Sequence, residues 1–248
     1  MTLATHKLTL QTPGRLLYTD LNLAFQPGEV WGILGANGCG KTTLLHTLAG
    51  LIQPTSGAIQ LDAMPIATFS PKARARRIGL LLQEATLPPL QTVFDYVHDA
   101  RYPHSRRFSN SEHQHIVTET LAALELTAFA NQRLSQLSGG EQRRIAIASL
   151  LAQTPAIYLL DEPTNHLDLR HQVHLFRLLS QLAHAEKTII MSLHDVQQAQ
   201  HFCTHVLLLQ PDGRYLQGKT RDLLTADHLT VLYQHNIVNV GSEGALAG

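Results

Sequence analysis

The sequence lacks any surplus of charge. Lysine and arginine together number 19, aspartate and glutamate also number 19, and the formal net charge of the 248-residue chain is zero. A nucleic-acid binder usually carries a basic excess or a basic stripe, because phosphate contacts supply most of the affinity. The even balance argues against nucleic acid as a partner, while an apolar fraction of 44% is enough for a full core.

Cysteines and long hydrophobic runs are also scarce. The two cysteines, Cys39 and Cys203, are far apart and show neither disulfide nor metal-ligand spacing, so we interpret them as reduced cytosolic thiols. No stretch approaches the roughly 20 apolar residues that cross a bilayer, and residues 1–10 do not resemble a signal peptide. We therefore expect a soluble protein whose role at a membrane, if it has one, depends on a partner.

What is present is an alternation of strand and helix patterns. Short apolar runs typical of buried strands lie at 29–34, 78–82, 156–160 and 188–193. Residues 84–153 follow a helical pattern, in which Ser109 and Glu112 fit a capping box. This order predicts one α/β domain over residues 1–248, with a mostly parallel core sheet, antiparallel N-terminal strands and an inserted helical subdomain over 84–153.

A glycine-rich segment follows the run at 29–34 and precedes a helix pattern. Residues 35–42 fit G-x-x-x-x-G-K-[ST], the phosphate-binding loop, in the strand–loop–helix setting that it requires. Glycines let backbone N–H groups face phosphate oxygens, Lys41 can reach the β- and γ-phosphates, and the Thr42 hydroxyl can ligate Mg²⁺. The residues predicted to bind nucleotide here are Gly35, Asn37, Gly38, Cys39, Gly40, Lys41, Thr42 and Thr43.

Two carboxylates end the strand pattern at 156–160. Asp161 would lie at the carboxyl end of a parallel strand, where doubly wound sheets bind ligands, and could hold Mg²⁺ through water. Glu162 could take a proton from an attacking water as general base. A simpler alternative is a pair of solvated loop acids, but a phosphate loop in the same chain favours the catalytic interpretation.

A pair of glycines opens the helix pattern near residue 139. Ser138 and Glu141 fit a capping box, which alone would explain the helix start. Gly139 and Gly140 are nevertheless poor helix formers, and they leave bare N–H groups that suit an anion. A second phosphate cradle in one chain predicts a phosphate that is bound from two sides.

Together these motifs resemble the ABC ATPase family, and the resemblance covers nearly the whole chain. Gln83 matches the Q-loop glutamine, residues 165–168 match the D-loop, and His194 matches the switch histidine. The resemblance implies a P-loop NTPase fold and an ATPase that uses Mg²⁺. It also implies that Lys41, Gln83, Glu162 and His194 are the residues that act in catalysis.

The resemblance further implies how the protein assembles. Two copies would form a homodimer, with each ATP held between residues 35–43 of one copy and residues 138–140 of the other. Asp168 would also belong to the nucleotide-binding residues. Mg²⁺ would be held by Thr42, Gln83 and Asp161. Integral membrane permease subunits would be direct partners and a solute-binding protein an indirect one. The chain would then lie at the cytoplasmic face of the inner membrane, attached through its membrane subunits.

One expected feature of the family is missing. An aromatic residue usually stacks on adenine just before the second strand, but residues 11–14 read Gln-Thr-Pro-Gly. Tyr18 is nearby but falls later than that position. Because stacking contributes on the order of 1 kcal/mol, we expect weaker nucleotide binding or poorer base discrimination, with ATPase activity retained.

A short segment indicates a branch of the family. Residues 100–104, Ala-Arg-Tyr-Pro-His, together with 107–108, look like a stretch of the ATPases that serve iron-siderophore, haem and cobalamin importers, and 164–168 also resembles that branch. The alternative is that 101–108 is a basic surface loop. We interpret the basic run 72–77 as the solvated face of a short helix, with contact to anionic lipid or a membrane subunit as the alternative.

Other functions stay open at this point. The chain could serve an exporter or an importer of a different solute, or it could be a soluble regulatory ABC ATPase that acts on protein or ribosome partners. The transported solute cannot be read from this chain, because a membrane subunit and a binding protein would select it. Histidines at 113, 115, 171 and 174 are interpreted as surface or helix-face residues rather than metal ligands.

Overall fold

Strands and helices alternate along the chain, which confirms the α/β class. The computed structural model describes residues 1–84, 86–105 and 107–233, so the end of the predicted domain, 234–248, lies outside the described residues. Its strands in chain order are β1 (Leu3–Thr12), β2 (Arg15–Leu21), β3 (Ala24–Phe25), β4 (Val30–Gly35), β5 (Ser56–Leu61), β6 (Met64–Pro65), β7 (Ile78–Leu81), β8 (Ile157–Leu160), β9 (Thr188–Ser192), β10 (His205–Leu209) and β11 (Tyr215–Lys219). Its α-helices are α1 (Lys41–Leu48), α2 (Pro71–Ala75), α3 (Val93–Asp99), α4 (Asn110–Ala123), α5 (Gly139–Gln153), α6 (Leu169–His184), α7 (Val196–Phe202), α8 (Thr220–Leu223) and α9 (Ala226–Tyr233). None of these described helices has the length and apolar composition needed to cross a membrane.

The long apolar runs form a six-stranded sheet that is mostly parallel, as predicted. Its order is β11-β10-β4-β9-β8-β7, and β11 is its one antiparallel member among the described strands. Strands β4, β8 and β9 are buried along their whole length, which explains why they are almost continuously apolar. Because β4, β7, β8 and β9 run in the same direction, the loops that follow them leave from one edge of the sheet.

The N-terminal strands form a second, antiparallel sheet, as expected. Strand β1 pairs with β2, β3 and β5, and β5 pairs with β6. Leu8 and Leu21 of this sheet are buried in one cluster with Ile33 of β4 and Leu44 of α1. Burial of each such side chain contributes about 2 kcal/mol, so the junction between β4 and α1 rests on a well-packed base.

The region between β7 and β8 contains helices α3, α4 and α5. Both predicted capping boxes are present. Ser138 Oγ accepts the N–H of Glu141 while the Glu141 carboxylate accepts the N–H of Ser138, and Ser109 and Glu112 make the same exchange. These reciprocal bonds define where α4 and α5 begin. The division of residues 84–153 into a separate subdomain stays a prediction.

Arg101 is buried at the carboxyl end of α5. It is 1% exposed, and its Nη1 atom donates to the carbonyl of Ala152 and the hydroxyl of Thr154, both at 2.7 Å. The last carbonyls of a helix have no partner within the helix, and a guanidinium supplies one. The alternative interpretation of 101–108 as a basic surface loop is therefore wrong for Arg101.

Two histidines complete this helix cap. His104 is buried and its Nε2 atom bonds to the carbonyl of Gln153 at 3.0 Å, while His113 Nδ1 lies 3.2 Å from Arg101 Nε. Burial lowers the pKa of both imidazoles, and the nearby Arg101 charge lowers it further. Of the two interpretations of His113, the surface position is wrong, because its ring packs against the guanidinium, whereas its place on helix α4 fits a helix-face residue.

The basic run 72–77 packs against the segment that follows Arg101. Lys72 Nζ donates to Ser105 Oγ at 3.0 Å, and Arg76 Nε donates to the carbonyl of Pro103 at 2.6 Å. The predicted short helix is present as α2, and its basic residues are only partly solvated because they pack on this segment. Contact with lipid or a membrane subunit stays a prediction.

Candidate functional site

The phosphate loop connects the last residue of β4 to the first turn of α1. Gly38 and Gly40 have φ of +72° and +104°, a backbone conformation that favours glycine, and a Cβ on Gly40 would lie 2.9 Å from Leu17 Cδ1. Lys41 is buried, and its ammonium donates to the carbonyl of Gly35 at 2.8 Å. The loop thus holds a cation next to its glycine-rich backbone, and a lysine beside backbone N–H groups is the combination that binds polyphosphates.

Cys39 and Tyr18 support this loop from beneath. Both side chains are buried, and a Cβ on Gly35 would lie 2.7 Å from Cys39 Sγ. The Tyr18 hydroxyl donates to the carbonyl of Gln210 at 3.3 Å. Cys39 can therefore offer a ligand its backbone but not its thiol, and Tyr18 is not free to stack on a base.

The first carboxylate of the acidic pair is held from β9. Asp161 is fully buried, and its Oδ1 atom accepts the Ser192 hydroxyl at 2.6 Å. The same Ser192 oxygen accepts the backbone N–H of Glu162 at 2.8 Å. Asp161 Oδ2 has no hydrogen-bond partner among the described residues. One serine thus orients both acids and leaves one buried carboxylate oxygen available.

Glu162 is the centre of a cluster of polar side chains. Its Oε2 atom accepts the amides of Gln83 at 3.0 Å and Asn165 at 2.5 Å, and Oε1 bonds to Nε2 of His194. The Glu162 backbone has a φ of +45°, so the chain turns sharply after β8 and presents the carboxylate to the two neighbouring loops. Three predicted site residues, from positions 83, 162 and 194, therefore meet at one carboxylate.

These residues share one cavity of about 520 Å³. The phosphate loop forms one wall, the Glu162 cluster lies opposite, and the β1–β2 hairpin closes one end. No aromatic side chain is among the described lining residues, in keeping with the missing aromatic at 11–14. The cavity is lined by Thr12, Arg15, Leu17, Asn37, Gly38, Gly40, Lys41, Thr42, Thr43, Gln83, Glu162 and His194.

The signature residues lie elsewhere on the chain. Ser138 and Gly139 are exposed at the start of α5, and nothing lies within 4 Å of a Cβ placed on Gly139. Gly140 approaches the carbonyl of His166, which a Cβ would meet at 2.9 Å. Asp168 caps α6 by accepting the N–H of His171 at 2.9 Å, and that bond lowers the pKa of Asp168. One chain therefore does not bring its signature residues to its own phosphate loop.

The cavity and its acids fit a magnesium ion. Thr42 lines the cavity, Gln83 lies beside Glu162, and Asp161 Oδ2 is a buried oxygen without a partner among the described residues. Hydroxyl, amide and carboxylate oxygens are the hard donors that Mg²⁺ prefers. The predicted ligand set is thus chemically suited to the ion.

Two further residues support this site and were not predicted from the sequence. The pattern of residues 188–193 predicts only a strand at Ser192, whereas its hydroxyl bonds to the Asp161 carboxylate and to the backbone N–H of Glu162. Arg143 is 5% exposed and lies on the buried face of α5 that also carries Ile147 and Leu150. A charged residue in an apolar helical stripe is costly unless it is bonded, so Arg143 could have been singled out by that pattern. Ser192 offered no comparable signal.

Comparison with known proteins identifies the family. A family model described as "ABC transporter" matches residues 18–165. The ferric enterobactin transport ATP-binding protein FepC of Escherichia coli strain K12 is 40% identical over 92% of this chain and 85% of its own length. The hemin import ATP-binding protein HmuV of Escherichia coli O157:H7 is 36% identical over 95% of this chain and 93% of its own.

A solved structure extends the comparison to a nucleotide-bound state. It is described as a dimeric structure of a post-hydrolysis state of an ATP-binding cassette bound to ADP and Pi. Its sequence is 30% identical, the match covers 88% of this chain and 99% of the other, and the TM-score is 0.80. The predicted P-loop NTPase fold is thereby confirmed over most of the chain.

Proposed function

This chain belongs to the ABC transporter family of ATP-binding subunits, and on that premise we propose that it powers the import of a metal chelate, either a siderophore or haem. ATP hydrolysis is the activity of this family. The observation that carries the proposal is the cavity in which the phosphate loop faces Glu162, Gln83 and His194. The siderophore and haem transporters among its relatives favour the solute class, and cobalamin stays a prediction from the sequence.

The residues of the cavity divide the work of hydrolysis. Lys41 neutralises charge on the β- and γ-phosphates, and Glu162 takes a proton from the water that attacks the γ-phosphorus. The bond to the leaving ADP oxygen breaks as the new bond forms, and phosphate is released. Mg²⁺, held by Thr42, Gln83 and Asp161, would neutralise the phosphate oxygens. Because His194 and Gln83 both bond to Glu162, they also control when its carboxylate is free to act.

The active form is a homodimer in this proposal. Ser138 and Gly139 are exposed in one chain, and neither they nor Gly140 line its cavity, so a second copy has to bring its own glycines to the nucleotide. Their bare N–H groups at the start of α5 suit the γ-phosphate. Asp168 lies next to this region at the start of α6. The dimeric relative bound to ADP and Pi supports this arrangement.

Arg15 takes the place of the missing aromatic residue at the adenine end. It lines the cavity beside Thr12 and Leu17, and its Nη1 atom donates to the carbonyl of Gly38 at 3.3 Å. A planar guanidinium can stack on a purine and is weakly hydrated. Arg15 could therefore cover one face of adenine while Leu17 contacts the sugar side.

A membrane subunit would dock beside the Q-loop. Leu90 and Tyr102 are 77% and 70% exposed, unusually high values for large apolar side chains. Gln91 donates to Asp99 at 2.6 Å, which brings the loop that carries Leu90 to the end of α3, just ahead of Tyr102. A partner bound there would hold the chain at the cytoplasmic face of the inner membrane.

The test of the importer role is co-purification from membranes of the source cell. We expect a multi-helix membrane subunit to accompany the tagged chain, and ATP hydrolysis by the complex to rise when a binding protein loaded with siderophore or haem is added. The same binding protein without its solute is the matched control. Recovery only from the cytosol would refute the importer role and favour a soluble regulatory ATPase, and stimulation by a different solute would favour another transporter.

A further inference from the structure

Arg143 joins two loops of the cavity from behind. Its Nη1 atom donates to the carbonyls of Leu82 at 2.6 Å and Gln83 at 3.0 Å, and its Nη2 atom donates to those of Asp161 and Glu162, both at 2.7 Å. All four acceptors are backbone oxygens that follow directly on β7 or β8. The guanidinium is 5% exposed and does not line the cavity itself.

This guanidinium connects the segments after β7 and β8 just beyond the point where their backbone hydrogen bonds end. The last backbone bond between the two segments runs from the N–H of Asp161 to the carbonyl of Leu81, at 2.9 Å. Beyond it the carbonyls of Gln83 and Glu162 turn to the same guanidinium. The Gln83 amide then reaches the Glu162 carboxylate at 3.0 Å, a contact that needs both loops to keep one relative position.

Arg143 has an unusual set of partners for a buried charge. Burial lowers the pKa of Arg143, and the charges of Asp161 and Glu162 partly offset that effect. Its hydrogen bonds go to neutral carbonyls, and its Nε atom has no partner among the described residues. Four buried carbonyls need donors in any case, but one planar fork satisfies all four only while the two loops keep one relative position.

We propose that Arg143 is a positioning residue for ATP hydrolysis, which fastens the loops of Gln83 and Glu162 to α5. Helix α5 begins at the signature glycines, so a displacement of this helix reaches both loops through one rigid fork. This inference rests on the proposed function, because it takes Glu162 as the general base. The role of Arg143 is to hold that base in place, without contact to the nucleotide.

The same helix offers a matched control at its other end. Arg101 is also a buried arginine, and it also donates to a backbone carbonyl, that of Ala152. Its acceptors lie at the carboxyl end of α5, away from the cavity. Replacing Arg101 therefore removes a buried guanidinium that bonds to α5, but it leaves the loops of Gln83 and Glu162 attached to Arg143.

The experiment compares R143Q, R143K and R101Q in the full chain by steady-state ATP hydrolysis, with folding followed by urea titration. For R143Q we expect kcat to fall about tenfold or more and the KM for ATP to stay within about threefold, because phosphate binding is retained. R143K should be intermediate, since one ammonium cannot hold four oxygens. R101Q should keep kcat even where it lowers stability. If R143Q does not fold, the comparison of R143K with R101Q decides.

A double variant separates positioning from general destabilisation. If Arg143 acts through Gln83, R143Q combined with Q83A should lose little more kcat than the more damaging single variant. Losses that multiply, or an R143Q chain as active as the parent, would overturn the inference and leave the proposed function standing. A well-folded parent chain without ATPase activity would instead refute the proposed function itself.

Discussion

Replacement of Ser192 by alanine tests how the acidic pair is held. The Ser192 hydroxyl donates to Asp161 Oδ1 at 2.6 Å and accepts the N–H of Glu162 at 2.8 Å, and its side chain is fully buried. The substitution S192A leaves a carboxylate oxygen and an amide buried without this partner. Each orphaned buried group costs about 1–3 kcal/mol, so we expect the free energy of unfolding to fall by about 3 kcal/mol, in the lower half of the combined range of about 2–6 kcal/mol.

The measurement is a urea titration together with ATP hydrolysis at several Mg²⁺ concentrations. With an m-value of about 3 kcal/mol per molar urea, the midpoint should fall by about 1 M. Activity should fall as well, because Asp161 and Glu162 both lose the bond that orients them. The control is S180A in α6, which removes the same atoms from a partly buried position elsewhere. A change below about 0.5 kcal/mol with unchanged kcat would refute the assigned role of Ser192.

The remaining predictions concern the nucleotide and one buried histidine. E162Q should abolish turnover and, with ATP and Mg²⁺, give a dimer by light scattering. A monomer would count against the two-copy site. The control E119Q, on the exposed face of α4, should behave like the parent. T12Y should lower the KM for ATP about fivefold through stacking, and no change would show that position 12 does not face adenine. R15A should raise the KM for ATP without weakening the binding of inorganic tripolyphosphate. Equal losses of affinity for ATP and tripolyphosphate would show that Arg15 contacts the phosphates instead of adenine. Because burial lowers the pKa of His113 below its usual 6.5, the unfolded chain binds a proton at this histidine before the folded chain does. The free energy of unfolding should therefore fall as the pH drops below about 6.5, and H113Q should reduce this pH dependence in urea titrations. An unchanged pH dependence in H113Q would contradict the prediction.

The mutual contact of Gln83, Glu162 and His194 has a consequence for regulation. A carboxylate that already accepts three side chains is poorly placed to activate water, because most of its lone pairs are occupied. Binding of the second copy or of a membrane subunit would have to rearrange at least one of these side-chain contacts before hydrolysis, while Arg143 keeps the backbones of the Gln83 and Glu162 loops in place. In this interpretation the cluster is a point at which transport and hydrolysis can be coupled.

Several expectations from the sequence depended on local chemistry, and these were the ones that the structure bears out. The phosphate loop is contiguous, so residues 35–42 and the helix at Lys41–Leu48 could be placed from their pattern alone. The two capping boxes each involve residues three positions apart, and both are present. Local patterns did not determine which polar residues are exposed. Arg101 and His113 are polar, yet tertiary packing buries them at the end of α5.

The chemical groups of this protein can be listed from its sequence: a phosphate loop, an acidic pair after a buried strand, a glycine-opened helix and a late histidine. Each of these depends on neighbouring residues and on backbone conformation. Which of them meet depends on the tertiary structure. Gln83 and Glu162 are 79 residues apart and come together because β7 and β8 are adjacent parallel strands, and Ser192 reaches Asp161 because β9 lies beside β8. Strand order is an outcome of long-range packing that local periodicity does not encode, and for that reason the role of Ser192 became visible only in the folded chain.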